Sequence, residues 1–219
     1  MSKPDLSEAI QDYLKEIYKL QVAGERATTS AISRRMGVAP SSVTSMLKKL
    51  AALGLADHAP YQGVELTEAG GKIALEVVRH HRLLEQYLAQ TLGLGIDAVH
   101  AEADRLEHVI SEELEARIDQ ALGYPTHDPH GDPIPDASLN VERPELRSLD
   151  ALAPGEAATV KRIPDGDAGL VRYLAELDLL PGCLVTVRSA APFGGPVTID
   201  VAGNEHAISR ELAGQIGVA

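Results

Sequence analysis

The chain has 219 residues, of which 44% are hydrophobic and 24% charged, a composition typical of a globular protein with two or three folded units. Its single cysteine excludes an internal disulfide framework and a cysteine-rich zinc module. The lack of a long apolar run or a signal peptide predicts a cytoplasmic protein with no membrane partner. The net charge of −12 disfavours nucleic acid, but residues 26–56 carry five basic and no acidic side chains, so different segments are expected to have different roles.

The first 70 residues are predicted to form three helices followed by a small β-element. The run SEAIQDYLKEIYKLQ repeats apolar residues at helical spacing. TTSAISRRMGV and APSSVTSMLKKLAALGL follow as shorter helices that end at Gly37 and Gly54, and ADHAPYQGVELTEAG gives two strand-like runs around Gly63. This order predicts a winged helix-turn-helix over residues 1–72.

The third predicted helix has the side chains that a DNA-recognition helix needs. Small polar residues at its start and lysines further along can reach base edges and phosphates in the major groove. The competing interpretation is a three-helix bundle with a solvated basic face, because serines near a helix start often act as caps. We expect DNA contacts from Arg26, Thr28, Arg34, Arg35, Ala39, Pro40, Ser41, Ser42, Thr44, Ser45, Lys48, Lys49 and Tyr61.

Residues 73–123 are predicted to form two long helices, KIALEVVRHHRLLEQYLAQTLG and AVHAEADRLEHVISEELEARIDQAL. Residues three and four apart share a helix face, and in antiparallel helices two such faces border one gap. Imidazole and carboxylate ligands without thiolate suit Mn²⁺ or Fe²⁺ and would also take Zn²⁺ or Co²⁺. The side chains predicted to border this gap are His81 and Glu85 on the first helix and His100, Asp104, Glu107 and His108 on the second.

The competing interpretation of these two helices is a solvated acidic face with ordinary surface histidines. The remaining histidines, His130 among them, have no comparable partners and are assigned to no site. A di-metal hydrolase is the more remote alternative, because the chain lacks His-Glu-x-x-His, lacks the paired Glu-x-x-His motifs of di-iron bundles, and has no recognisable nucleophile. We therefore expect no enzyme activity.

The last part of the chain changes character twice. Residues 124–147 contain five prolines and little periodicity, which predicts an extended linker. Residues 148–219 contain short β-type runs separated by glycine and proline, which predicts a small barrel. The expected fold is mainly α with a small C-terminal β-barrel.

Four segments resemble the diphtheria toxin repressor family of metal-dependent transcription regulators: QDYLKEIYKL, APSSVTSMLKKL, RHHRLLEQYL and VHAEADRLEHVISEELEARI. PSSVT and LLEQ are most similar to its manganese-regulator branch, and GDPIP resembles the family's linker. LAPGEAATVKRI and the segments after it resemble the SH3-like domain that longer members share with FeoA proteins. The resemblance implies a DNA-binding domain (1–72), a helical dimerisation and metal-binding domain (73–123), a linker (124–147) and an SH3-like domain (148–219).

The resemblance implies a homodimer that binds a palindromic operator when loaded with metal and controls metal-homeostasis genes such as those for uptake. The metal would be Mn²⁺, with Fe²⁺ as the alternative, at two sites per subunit. A winged-helix regulator that senses an organic ligand is the other DNA-binding alternative. Carried over by position, the primary ligands would be Asp12, Asp104, Glu107 and His108, and the ancillary ligands His81, Glu85, His100 and Asp167, with Asp165 as the fallback for the last.

Two departures from the family pattern bear on the metal. Iron-sensing relatives have Met and Cys where this chain has Asp12 and Asp104, and hard carboxylates favour manganese over softer metals. Short manganese regulators have a second Glu on the first helix, where this chain has Lys15, and they lack the C-terminal domain. We therefore expect two separate sites rather than one binuclear site.

Overall fold

The computed structural model describes residues 6–59 and 63–219, which divide into two compact units. The first unit runs to His80 and also includes Glu107–Val109 and Pro135–Asn140. The second unit comprises His81–Leu106, Ile110–Ile134 and Val141–Ala219. In the part of the chain that is described, no helix is long and apolar enough to cross a membrane.

The first unit contains a helix-turn-helix followed by a two-stranded antiparallel wing. Thr28 caps the second helix by accepting a hydrogen bond from the Ala31 amide, Gly37 ends that helix with φ +66°, and Pro40 occupies the first turn of the third helix. Apolar faces of all three helices form a shared core. The elements are α1 (Glu8–Val22), α2 (Thr29–Met36), α3 (Pro40–Ala52), β1 (Ala56–Ala59) and β2 (Gly63–Leu66).

Three further helices follow, where the sequence predicted two: α4 (Glu68–Leu92), α5 (Val99–Leu106) and α6 (Glu112–Ala121). The single helix predicted over residues 98–122 is wrong, because residues 107–109 form a turn. Ser111 restarts the helix by accepting a hydrogen bond from the Leu114 amide, and acidic residues follow it in the first turn, where they favour a helix start. Glu107 and His108 therefore lie on a turn and not on a helix face.

The proline-rich segment contains no helix or strand between residues 123 and 146, but it is not extended throughout. The Asp128 carboxylate accepts hydrogen bonds from the amides of His130 and Asp132 and folds them into a tight loop. His130 is fully buried, and its carbonyl oxygen accepts a hydrogen bond from the Ile163 amide at 2.9 Å. Residues 128–132 are thus packed against the C-terminal strands, and the expectation of an extended linker is wrong for this loop.

The C-terminal part of the second unit is a six-stranded antiparallel sheet in the order β3-β8-β4-β5-β6-β7. Alternate residues of β6 face a common core, as in the buried–intermediate alternation from Val197 to Val201. The predicted mainly helical chain with a small C-terminal β-domain is thus observed. The elements are β3 (Arg147–Ser148), β4 (Ala157–Arg162), α7 (Ala168–Glu176), β5 (Leu184–Ala190), β6 (Val197–Val201), β7 (Asn204–Ile208), α8 (Arg210–Gln215) and β8 (Gly217–Val218).

Candidate metal centres

The first unit brings three predicted ligands together, and we call Asp12, Glu107 and His108 the N-terminal cluster. His108 Nε2 lies 2.9 Å from Asp12 Oδ1 and 3.3 Å from Glu107 Oε1. The Glu107 side chain is fully buried, whereas that of Asp12 is 41% exposed. Burial raises the pKa of the Asp12 carboxyl, and the nearby His108 and Lys15 only partly offset this effect. The cluster therefore offers one imidazole and two carboxylates around a partly open space.

Gln11 orients the imidazole of this cluster, a role that the sequence did not reveal. The Gln11 amide nitrogen donates to the Leu6 carbonyl oxygen at 3.2 Å, which turns the amide oxygen toward His108 Nδ1 at 2.8 Å. In the tautomer that donates from Nδ1 to Gln11, His108 Nε2 keeps its lone pair for a metal. Such a partner on the second ring nitrogen is usual for metal-binding histidines.

The N-terminal cluster also contains a cation, Lys15, which lies one turn after Asp12 on α1. Lys15 Nζ lies 2.5 Å from Glu107 Oε1, and both side chains are buried. His80 fixes the same turn through its Nδ1, which lies 3.0 Å from the Glu107 carbonyl oxygen. The Glu107 turn is thus held to α1 by an ion pair and to α4 by an imidazole.

The second unit gathers its ligands around one buried carboxylate, that of Glu85. Glu85 Oε1 lies 3.0 Å from His81 Nε2, 2.9 Å from His100 Nδ1 and 3.8 Å from His130 Nδ1. Burial alone would raise the pKa of Glu85, but the charge of His81 and a hydrogen bond from His100 hold it well below its usual range. The Glu85 cluster, as we call it, comprises His81, Glu85, His100, Asp104, Asp128, His130 and Asp165.

Asp128 and His130 were not among the predicted ligands. The sequence showed no partner for His130 at helical spacing, and Asp128 belongs to the same segment outside the predicted helices. The two residues come from the loop between the helical segment and the β-domain, and both are buried against Glu85. Burial and the nearby acids Glu85 and Asp132 raise the pKa of Asp128 to about 8. Burial alone would lower the pKa of His130, but the Glu85 carboxylate outweighs it and raises that pKa to about 9. The only sequence signal for these residues was the motif DPHGD itself.

Two of the predicted acidic ligands occupy positions that differ from the expectation. Asp104 lies in the second unit, where its carboxylate oxygens are 3.3 Å from His81 Nδ1 and 3.7 Å from His100 Nε2. The family resemblance implied a grouping of Asp104 with Asp12, and the structure places Asp104 beside two of the ancillary ligands, on a helix that ends at Leu106. Asp167 caps α7 through the amides of Gly169 and Leu170, so the fallback residue Asp165, 3.9 Å from His100 Nδ1, is the acid that faces the cluster.

The donor chemistry of both clusters fits a hard divalent metal ion. All candidate ligand atoms are carboxylate oxygens or imidazole nitrogens, and each group contains atoms within 4.8 Å of one another. Among the described residues, Glu85 Oε2 and His130 Nδ1 are buried without a hydrogen-bond partner. Buried polar atoms are rarely left unpaired in native proteins, so these two atoms point to a ligand that both could bind.

Most of the candidate DNA-contacting residues lie on an exposed face of α3 that runs from its first turn to Lys49 in its last turn. Ser41, Ser42, Ser45 and Lys49, together with Met46, line a shallow depression of about 440 Å³. The hydroxyls of Thr44 and Ser45 each donate to a carbonyl oxygen one turn earlier at 3.0 Å, and both residues are exposed.

Four other predicted DNA contacts have a different status. Thr28 caps α2, and Ala39 is the cap residue of α3 without a side-chain hydrogen bond. Arg35 is ion-paired with Glu16 and Glu25 of its own unit. Tyr61 lies outside the described residues.

Comparisons with known families divide the chain into three parts. Residues 5–64 match "Iron dependent repressor, N-terminal DNA binding domain", and residues 67–136 match "Iron dependent repressor, metal binding and dimerisation domain". Residues 147–219 match "FeoA domain". Together the three matches span nearly the whole chain.

Individual proteins match over almost the same length. The iron-dependent repressor IdeR of Mycobacterium tuberculosis is 33% identical over 227 residues, which covers 98% of each chain. The diphtheria toxin repressor of Corynebacterium efficiens is 35% identical over 163 residues, covering 72% of this chain and 70% of that protein. A solved structure of a manganese-dependent transcriptional repressor in complex with manganese is 39% identical, with a TM-score of 0.89, and the match covers 96% of this chain and 99% of that one.

Proposed function

Because this chain belongs to the iron-dependent repressor family that includes the diphtheria toxin repressor, and is thus a metal-dependent transcriptional regulator, we propose that it acts in the cytoplasm as a manganese-responsive repressor. It binds a palindromic operator as a homodimer when loaded with Mn²⁺, with Fe²⁺ as the alternative metal. The genes under its control are those of manganese or iron homeostasis, such as uptake genes.

The proposal of manganese is supported by the ligand atoms of the N-terminal cluster, which are all oxygen or nitrogen. Asp12 supplies a carboxylate where iron-sensing relatives have methionine, and no sulfur atom is among its candidate ligands. Hard oxygen donors favour Mn²⁺ over later transition metals that bind thiolate and thioether. Asp12, Glu107 and His108 would hold the ion at this site, with Gln11 orienting the imidazole.

The Glu85 cluster is the second proposed site. His81, Glu85 and His100, the ancillary ligands that the family resemblance implies, are supported by their short mutual distances, and His130 would extend the set through its buried Nδ1. Asp165 replaces Asp167 as the proposed ligand from the β-domain, because Asp167 is engaged as a helix cap. Asp104 keeps its proposed role as a metal ligand, now beside His81 and His100.

The N-terminal cluster offers a simple way to connect the metal to DNA binding. Asp12 lies on α1, whose buried face packs in the same core as α2 and α3. When bound, the metal supplies positive charge that neutralises the carboxylates of Asp12 and Glu107. Asp12 and the Glu107 turn can then hold α1 in one position, which favours the arrangement of recognition helices in the dimer that reaches successive major grooves about 34 Å apart.

The DNA contacts are proposed for the exposed side chains of α3. Ser41, Ser42 and Ser45 present hydroxyls to base edges, while Lys48 and Lys49 extend toward phosphates. Arg26, Arg34 and Arg35 are proposed as further phosphate contacts, and Pro40 as an apolar contact at the helix start.

A metal-by-metal operator titration tests this function directly. Fluorescence anisotropy with a labelled operator isolated by selection from random DNA should show binding with Mn²⁺, loss of binding on adding EDTA, and recovery with excess Mn²⁺. The Asp12→Ala variant should remain dimeric by light scattering but lose the Mn²⁺-dependent binding. Equal operator affinity of the native protein in EDTA and in Mn²⁺ would contradict the proposal.

A further inference from the structure

The N-terminal cluster contains an ammonium group among its carboxylates. Lys15 is 8% exposed, and its Nζ contacts Glu107 Oε1 at 2.5 Å, while the Glu107 side chain has no exposed surface. A charge is rarely buried unless it is paired, so the two groups depend on each other. Glu107 therefore has a positive partner within the protein itself, at the same carboxylate oxygen that faces His108.

We propose that Lys15 sets the metal affinity of the N-terminal cluster: its fixed charge limits the cluster to a single divalent ion and weakens the binding of that ion. This inference rests on the proposed function, since it takes the cluster to be a metal site. Lys15, although not itself a ligand, would then set the range of metal concentration in which the regulator responds.

The effect of Lys15 follows from the charge balance of the cluster. Asp12 and Glu107 supply two negative charges and Lys15 one positive, so these three side chains carry a net charge of minus one. One divalent ion brings the total to plus one, and a second would bring it to plus three. Without the lysine, one ion would leave the cluster neutral. Like charges a few ångströms apart repel more strongly in a partly buried site than in water, so Lys15 opposes metal binding.

Lys15 has a second effect of opposite sign on the metal-free protein. Removing one partner of a buried ion pair leaves the other charge uncompensated and destabilises the fold. A lysine that only supports the fold would, when removed, lower stability and metal affinity together. A lysine that opposes the metal would, when removed, lower the stability of the metal-free protein but raise metal affinity. The two roles are therefore distinguishable by the sign of the affinity change.

The test compares Lys15→Met with the charge-conserving Lys15→Arg and with Lys19→Met, which removes a lysine from the next turn of the same helix. Isothermal titration of the full chain with MnCl₂ gives affinity and stoichiometry, and thermal unfolding in EDTA gives the stability of the metal-free protein. The binding step of the N-terminal cluster is identified as the one that Asp12→Ala removes. If Asp12→Ala removes no step, the proposed metal site fails and the role of Lys15 fails with it, whereas a step that Asp12→Ala removes but Lys15→Met does not tighten overturns the role of Lys15 alone.

We expect Lys15→Met to bind Mn²⁺ about tenfold more tightly at this step, with a lower melting temperature in EDTA. Lys15→Arg should keep the native Mn²⁺ affinity. Lys19→Met should not show tighter Mn²⁺ binding together with a lower melting temperature. Unchanged or weaker Mn²⁺ binding in Lys15→Met overturns the inference. So does binding of two ions by the unmodified protein at the step that depends on Asp12. If Lys15→Met does not fold, Lys15→Gln, which keeps a polar end group, is measured against the same outcomes.

Discussion

The buried imidazole of His130 faces the buried carboxylate of Glu85, with 3.8 Å between His130 Nδ1 and Glu85 Oε1. This distance is too long for a hydrogen bond, and His130 Nδ1 has no other hydrogen-bond partner among the described residues. His130 Nε2, by contrast, lies 3.1 Å from the Ile96 carbonyl oxygen. One ring nitrogen is thus held by the backbone while the other is directed at the cluster, as expected for a metal ligand.

Replacing His130 with asparagine should weaken Mn²⁺ binding at the Glu85 cluster by about tenfold to a hundredfold, because the variant loses a donor that the surrounding fold has already positioned. The affinity is measured by isothermal titration of the full chain. His127→Asn is the matched control, since His127 is exposed in the same loop region. Native affinity in His130→Asn would show that the imidazole serves packing alone.

The metal affinity of the Glu85 cluster should rise with pH between about 7 and 9. The pKa of Asp128 is raised to about 8 and that of His130 to about 9, so in this window the folded, metal-free protein holds protons that a bound metal would displace. Titrations in buffers of different ionisation enthalpy should therefore show proton release on Mn²⁺ binding. Affinity that is constant across the window would contradict this assignment.

The same raised pKa values predict how the stability of the metal-free protein depends on pH. Both groups bind protons more tightly in the folded state than in the unfolded chain, so their contribution is greatest at low pH and is lost as pH rises through about 8 and 9. Thermal unfolding in EDTA should show a lower melting temperature at pH 9 than at pH 7. Asp128→Asn, which keeps an oxygen for the loop amides, should reduce this difference.

The parts of the fold that could be predicted from the sequence are those set by short-range signals. The cap residue Thr28, the left-handed Gly37 and the first-turn Pro40 all act within a few residues, so the helix-turn-helix was predictable. The end of α5 was missed because the apolar repeat that includes Val99 and Ala103 continues at helical spacing to Ile118, and so runs past the turn at residues 107–109.

The Glu85 cluster was only half predictable, for a physical reason. His81 and Glu85 are one helical turn apart, so spacing alone placed them together. His130 reaches them through a loop whose position depends on contacts with the end of β4 and with Ile163 just after it, far later in the sequence. No local pattern encodes such contacts, whereas Asp165 could be anticipated only through the family resemblance.

The Asp12→Met variant tests why manganese is favoured. Replacing a hard carboxylate with a thioether in the N-terminal cluster should lower Mn²⁺ affinity more than Co²⁺ affinity, so the ratio of the two constants should fall by about tenfold or more. Competition titrations with a metal-responsive dye give both constants. Glu8→Met, exposed on the same helix, is the control. An equal loss for both metals would show that the charge of Asp12 matters and its hardness does not.

The lysines of α3 should contribute to DNA affinity more than Arg35 does. Lys49 borders the depression along the exposed face of α3, whereas Arg35 is already ion-paired with Glu16. Lys49→Ala should reduce the slope of log affinity against log salt concentration by about one, as expected for the loss of one phosphate contact. Arg35→Ala should change the slope less, because Arg35 would have to give up its ion pair with Glu16 to contact a phosphate. Anisotropy titrations at several salt concentrations measure both slopes.

Gly131 is the point at which the buried loop meets the β-domain, so Gly131→Ala should disrupt both stability and the Glu85 cluster. A Cβ at Gly131 would lie 1.8 Å from the Lys161 carbonyl oxygen, and its φ of +90° already disfavours any other residue. Gly203→Ala is the matched control, because Gly203 has a φ of +87° but open space around its Cβ position. We expect a loss of about 3 kcal/mol for Gly131→Ala and about 1 kcal/mol for Gly203→Ala in thermal unfolding. Since the clash displaces the residue next to His130, Mn²⁺ affinity at the Glu85 cluster should fall in Gly131→Ala but not in Gly203→Ala. Equal affinity in the two variants would show that the position of this loop does not affect metal binding.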